Sequence, residues 1–310
     1  MFLNKIVTLT VNPALDKSAH FKGLVAEQKI RCSEPIFDAG GGGINVSKAI
    51  SRLKGDSLAV CAIGGPTGEI IIDLLAKEGI VTDPIVVQNW TRESFVAVDD
   101  NTNSQYRFGF PGAVISTAEK KGILNKMAAI SAEFLVLSGS LNDGLPVDFY
   151  KQIAEIAKKS NTKVIVDTSG EPLQKVLEIG VYLIKPNVGE LAKLIGVERL
   201  ELQEVNVAAK QIIKKGGAEI VVVSLGPQGA VLVTKDDYEY VPAPNVVKKS
   251  TVGAGDSMVG GMVWALSQNK SLKEVIRWGV ACGSAATMNE GTQLFKTEDA
   301  NRLFDWMNEK

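Results

Sequence analysis

The stretch STVGAGDSMVGG, residues 250–261, sets Gly253 and Gly255 around Ala254, follows them with Asp256, and continues into an apolar, helix-like run from Met258 to Leu266. Glycine lets a backbone approach a ligand closely. A helix opening at about Asp256 would point its unpaired N–H groups at whatever fills the turn, and the same helix end favours an ionised carboxylate. These residues can therefore set a negative carboxylate at the mouth of a cradle built to hold an anion. An aspartate acting only as a helix N-cap explains the same letters. Met258 stands where a third glycine would complete G-x-G-x-x-G, and no G-x-x-x-x-G-K-[ST] occurs. Those absences exclude the nicotinamide-dehydrogenase fingerprint and the P-loop.

Other segments hold further candidates. GGGGINVSKAI (40–50) opens with four consecutive glycines. Each costs about 1 kcal/mol against alanine in regular structure, so the run predicts a ligand or a close chain neighbour. A flexible loop ahead of an ordinary helix is the alternative. Asp16 in TLTVNPALD (8–16) either accepts hydrogen bonds from a ligand or serves as a turn residue after Pro13. Lys29, Arg31, Arg92 and Arg107 could bind phosphate oxygens or merely solubilise an exposed sheet. Glu190 in KPNVGE falls in the first turn of a predicted helix, where the dipole alone would favour it. His20 is the single histidine, which excludes a His-rich metal site and leaves one residue for any Ser-His-Asp triad. Three widely spaced cysteines, Cys32, Cys61 and Cys282, suit a reducing cytosol rather than a disulfide framework.

The elements that must position these residues are readable from periodicity. Strands are predicted at 5–11, 57–63, 133–139, 163–169, 182–187, 219–226 and 230–234, and helices at 44–55, 68–79, 146–160, 189–196 and 205–217. Two more helices are predicted in the C-terminal region. Short β-branched runs alternating with longer amphipathic ones predict a doubly wound α/β fold, a mostly parallel sheet with helices on both faces. Residues 17–38 and 88–110 break that rhythm and read as hairpins. Together they predict a small β-sheet lid on a single domain spanning 1–310, and its exposed edges predict pairing with a second subunit's lid. A net charge of −1 supplies no field for nucleic acid or an anionic membrane. No stretch approaches the roughly 18 apolar residues of a membrane span, and the first residues lack a signal-peptide pattern, so a cytoplasmic location is expected.

Taken together, STVGAGDSMVGG, TLTVNPALD, GGGGINVSKAI, DTSGE (167–171), KPNVGE, VSLGPQGA (223–230) and GSAATMNEGT (283–292) resemble the ordered motifs of the ribokinase-like, or phosphofructokinase-B, family of sugar kinases. GGGGINV, YRFGFPGA and SLGPQGA make the chain most similar to that family's minor-type bacterial 6-phosphofructokinases. The resemblance implies that Asp256 orients and deprotonates the acceptor hydroxyl, with Gly253, Ala254 and Gly255 donating to the transferring phosphoryl group. It implies that Asp16, Gly41, Gly42 and Asn45 hold sugar hydroxyls, and that Arg92, Arg107 and Ser140 line a 6-phosphate pocket. Lys29 would reach in from a second subunit, with Arg31 in the same lid segment. ATP phosphates would meet Lys185 and Asn187, and Glu190 would organise Mg2+ through water. Ser224, Gly226 and Gly229 would border the nucleotide, with Val280, Ser284 and Asn289 near its base. A K+ ion would lie against Ser250, Val252, Ala286, Asn289 and Gly291. Gln293 stands where relatives often carry arginine. The implied reaction is ATP-dependent phosphorylation of fructose 6-phosphate to the 1,6-bisphosphate by a homodimer. 1-Phosphofructokinase and tagatose-6-phosphate kinase activities share these motifs, and a non-catalytic sugar-phosphate sensor on a kinase scaffold is the alternative of another class.

Overall fold

Ile6, Val7, Thr8, Leu9 and Thr10 are all buried, so the segment carrying them is covered on both faces, as a parallel strand between helix layers must be. The computed structural model describes residues 4–309. In chain order its elements begin with β1 (Asn4–Thr10), β2 (Ala14–Phe21), β3 (Ile36–Gly40), α1 (Gly42–Arg52), β4 (Leu58–Ile63), α2 (Gly65–Lys77) and β5 (Val81–Val86). Next come β6 (Arg92–Asp99), β7 (Ser104–Gly109), α3 (Thr117–Ala129), β8 (Ala132–Ser138), α4 (Phe149–Lys158), β9 (Lys163–Asp167) and α5 (Gly170–Leu177). The remainder comprises β10 (Val181–Ile184), α6 (Val188–Ile195), α7 (Val205–Lys214), β11 (Ala218–Ser224), β12 (Ala230–Val233), β13 (Tyr238–Val241), α8 (Ala254–Ser267), α9 (Leu272–Thr287) and α10 (Thr297–Asn308).

Nine strands form one sheet in the order β13-β12-β11-β10-β9-β8-β1-β4-β5, in which β12 runs antiparallel to both β11 and β13 and all other neighbours are parallel. Alternate residues feed two cores. Ile6, Val136, Ile165 and Val222 cluster with α1, α8, α9 and α10, whereas Val7, Leu135, Val164 and Val221 cluster with α3, α4, α5 and α7. The parallel strands end at one rim, the place where α/β sheets bind ligands. Among the described residues no helix is long and apolar enough to cross a membrane.

The two segments that broke the helical rhythm supply a second sheet, ordered β3-β2-β6-β7. β2 is antiparallel to β3 and parallel to β6, and β6 is antiparallel to β7. Directly opposed residues share a face. The register therefore gathers Asp16, Asp38, Arg92, Ser94 and Arg107 on one face and Lys17, Phe37, Phe95 and Phe108 on the other. Phe37 and Phe108 are exposed, and Phe95 stacks on Phe108.

Five elements go beyond the sequence reading, among them α10, which buries Ala300, Leu303 and Met307. β5 carries Pro84, which cannot donate to a ladder and is tolerated because β5 is an edge. β13, the opposite edge, is four residues long. α3 buries only Ile123 and Met127, so its apolar stripe is thin, and α5 is a single short helix. The glycine-rich helix starts also lie earlier than expected. α1 begins at Gly42 and α8 at Ala254, with Gly253 as N-cap at φ 70°.

α1 and α8 meet where glycine replaces a side chain. A Cβ on Gly260 would lie 2.4 Å from the Ala49 Cβ, so the two helices approach closely. Gly260→Val should lower unfolding free energy by about 1–3 kcal/mol, the usual cost of overfilling a core. Urea denaturation reads this directly, and a midpoint at or above wild type would mean the helices part freely.

Candidate functional site

α8 opens on the rim. Gly253 adopts a left-handed φ that most residues avoid, and the first-turn N–H groups of α8 have no partner inside the helix, that of Ala254 donating instead to Thr251 O at 3.4 Å. Asp256 is the third residue of that helix, not its N-cap, which corrects the capping alternative. Its Oδ2 accepts from Asn45 Nδ2 of α1 at 2.8 Å. Burial, then the charges of Asp167 and Asp16, raise its carboxyl from the ordinary 3.8 to about 6, against the lowering effect of Asn45 and Lys185.

Lys185, at the end of β10, lies beneath the glycine turn: a Cβ on Gly255 would stand 3.6 Å from its Nζ. It pairs with Asp167, at the end of β9, at 3.2 Å. Burial works against the ammonium, but Asp167, with Asp256 and Glu190 behind it, outweighs that and holds its pKa above the ordinary lysine value. Asp167 was visible in DTSGE without an assigned role; its position at a strand end was the available signal.

On the other side of Asp256 the small sheet contributes Asp16. A Cβ on Gly40 would fall 2.0 Å from Asp16 Oδ2, so only glycine leaves room for this carboxylate. Burial raises Asp16 to about 6, with Asp38 adding to the shift and Ser94, Arg92 and Lys48 opposing it. Gly41 has φ 121°, and a Cβ on Gly42 would lie 2.3 Å from Ser138 Oγ. The glycines thus press against the ends of β1 and β8. Lys48 of α1 is 2% exposed, lies 3.1 Å from Glu78 and 3.8 Å from Asp38, and roots β3 in the core. Asp38 also accepts from Thr292 Oγ1.

Arg92 and Ser140 are brought together through Asn12, a residue to which the sequence reading gave no role. Arg92 Nε donates to Asn12 Oδ1 at 3.0 Å, and Asn12 Nδ2 donates to Ser140 Oγ at 3.1 Å. Arg107 is not part of this group. It is exposed and donates to Gln105 Oε1 from Nε and Nη2 at 3.1 and 2.8 Å. Lys29 and Arg31 are exposed in the loop between β2 and β3, lining a surface cavity with His20 and Asp100.

Toward the other end of the rim, Asn187 and Glu190 form a reciprocal capping box at the start of α6, each backbone N–H donating to the other's side chain at 2.9 Å. Asn187 also bridges to Ser224, and Gly226 and Gly229 flank the turn after β11. Val280 is 4% exposed and packs within the helix core, while Ser284, four residues on, is partly exposed. Ser250 Oγ donates to Gly291 O at 2.9 Å and accepts from Val252 N at 3.2 Å. Asn289 N donates to Ala286 O at 3.3 Å. Segments 250–252 and 286–291 are therefore adjacent. Among the described residues no cluster of three or more His, Cys, Asp or Glu could hold a metal.

A model of the pfkB family of carbohydrate kinases matches residues 8–299. The chain is 41% identical over 305 residues to ATP-dependent 6-phosphofructokinase isozyme 2 of Escherichia coli, covering 98% of this chain and 99% of that protein. It is 34% identical over 293 residues to 1-phosphofructokinase of Bacillus subtilis, covering 94% and 95%. The crystal structure of phosphofructokinase-2 from Escherichia coli in complex with potassium matches at a TM-score of 0.95, covering 99% of this chain and 100% of that one.

Asp256→Asn removes the acceptor but keeps the shape, so turnover should fall at least about a hundredfold with both ligands still bound. Because folding raises this carboxyl to about 6, its ionisation opposes folding, and that contribution to stability is lost as pH rises through 6. The thermal midpoint of Asp256→Asn should therefore exceed wild type at pH 8, with the gap closing toward pH 4. Near-normal turnover would reduce Asp256 to a structural group. Separately, log kcat/KM should fall below about pH 6, and Asp167→Asn, by removing a charge that raises Asp256, should move this limb to lower pH. The substrate's own titration is common to both enzymes, so an unmoved limb would exclude Asp256 as its source.

Proposed function

This chain belongs to the pfkB family of carbohydrate kinases, and we propose that it transfers the γ-phosphoryl group of ATP to the 1-hydroxyl of fructose 6-phosphate, giving the 1,6-bisphosphate. The observation that carries this reading is Asp256, placed at an anion-binding helix start with Asn45 and Asp16 on one side and Lys185 on the other. Asp256 accepts the proton of the attacking hydroxyl. The N–H groups of Gly253, Ala254 and Gly255 donate to the transferring group, and Lys185 adds positive charge beneath them. In a loose transition state, positioning and charge stabilisation dominate over early proton removal.

Asp16, Gly41, Gly42 and Asn45 hold the sugar, and Arg92 and Ser140 take its phosphate, with Arg107 swinging in from β7. Asn187 meets the nucleotide phosphates, and Ser224, Gly226, Gly229, Ser284 and Asn289 border the nucleotide, with Val280 supporting that wall from behind. Mg2+ neutralises charge on the donor phosphates when bound. Glu190 keeps one carboxylate oxygen outside its capping box, which suits contact through water with an ion reluctant to shed its shell. Oxygens of Ser250, Val252, Ala286, Asn289 and Gly291 suit a hard monovalent cation, K+.

The small sheet acts as the lid. Its outer face, with Phe37 40% and Phe108 49% exposed, is covered by a second copy, and the exposed Lys29 and Arg31 reach toward the partner's site. Cys32, Cys61 and Cys282 are all unpaired, which fits a cytoplasmic enzyme. The Bacillus subtilis relative favours 1-phosphofructokinase as a second reading, because a small rotation of the sugar exchanges its reacting end. Tagatose-6-phosphate kinase activity is the third member of that comparison.

ADP release measured side by side with fructose 6-phosphate, fructose 1-phosphate and tagatose 6-phosphate, with and without potassium, tests the assignment. Fructose 6-phosphate should give the highest kcat/KM, with potassium raising the rate. Preference for fructose 1-phosphate would establish the second reading, and no ADP release with any of them would remove the kinase assignment.

A further inference from the structure

Arg92 comes from β6 and Ser140 from the loop after β8, and the Asn12 amide spans the gap between them. The directions of these bonds decide what is left free. Asn12 Nδ2 gives Ser140 Oγ a donor, so the Ser140 hydroxyl hydrogen is released to point away from Asn12. Holding Arg92 by its Nε fixes the plane of the guanidinium. Its two terminal nitrogens make only long approaches, 3.5 Å to Ser94 Oγ and to Asn12 O, and stay available to an anion. Asn12 is itself confined. Gly112 sits so close that a Cβ there would lie 2.3 Å from Asn12 Oδ1. Two donors from separate elements are thus preset at the mouth of the site, and their ordering cost is met before any ligand arrives.

We infer that Asn12 is a positioning residue that aims Arg92 and Ser140 at a terminal phosphomonoester and so makes the site selective for phosphorylated over unphosphorylated sugars. This rests on the phosphate-pocket reading above.

Asn12→Ala should raise the KM for fructose 6-phosphate by about 10- to 100-fold, the scale of one lost charge-assisted hydrogen bond, while the KM for ATP stays within about twofold. Asn12→Asp preserves shape and the acceptor for Arg92, but it has no N–H to give and captures the Ser140 hydroxyl hydrogen. It should therefore weaken the sugar phosphate further. Calorimetric titration without ATP should show the loss for fructose 6-phosphate and not for fructose, with an unchanged thermal midpoint. Because Asn12 acts through Arg92, the Asn12→Ala/Arg92→Ala pair should lose less than the product of the single losses. A full product, or parallel rises in both KM values, would overturn the role of Asn12. If Arg92→Ala alone leaves the sugar-phosphate KM unchanged, the phosphate-pocket reading fails first, and Asn12 loses its role with it.

Discussion

Lys185 is buried between Asp167, its partner at 3.2 Å, and Asp256, whose charge it partly offsets; without it two carboxylates would confront each other in partly desolvated surroundings. Removing one member of such a buried pair costs about 3–5 kcal/mol, because the other charge is stranded. Here the stranded charge would sit beside Asp256. The arrangement leaves Asp256 ionisable near neutrality while its neighbours keep it only weakly stabilised as an anion, the condition under which a carboxylate accepts a proton usefully. Lys185 and Asp167 come from adjacent parallel strands, so the backbone ladder between β9 and β10 sets their separation.

Asp256 also depends on a second junction, the close contact of α1 with α8. α1 supplies Asn45 to the carboxylate and, one turn on, the buried Lys48 to Asp38 and Glu78. One helix therefore ties Asp256 to the root of the small sheet. Asp38 extends the same connection through Thr292 to the loop beside Ser250 and Gly291. The small sheet, Asp256 and that loop share a framework of short polar contacts.

Much of this was open to reading in the letters. The alternation of β-branched runs with amphipathic ones marked most strands of the large sheet and seven of the helices, because strand burial on both faces leaves an unbroken apolar signature. The glycine turn at 253–255 and its aspartate were visible as chemistry, although the helix start was displaced by two residues because Gly253 itself caps it. Edge strands β5 and β13 and the thinly buried α3 escaped, since each has solvent on one side and a diluted pattern. Asn12 and Asp167 escaped for a different reason. Their importance lies in partners about 80 to 130 residues away, or on a neighbouring strand, and no local spacing records that. Glu190 shows the reverse case, where a motif residue also has a complete local explanation as half of a capping box.

Gly40 to Gly43 look like the pliable part of the site, yet each is hemmed in by Asp16, Thr10, Ser138 or the backbone of Leu9, with gaps below 3 Å to any added carbon. A side chain grafted there would have to displace its neighbours. Inherited change in sugar preference must instead enter through β2, β6, β7 and the Asn12 bridge, where side chains meet one another rather than main chain. The site has one side that lineage history cannot easily rewrite and another that it can.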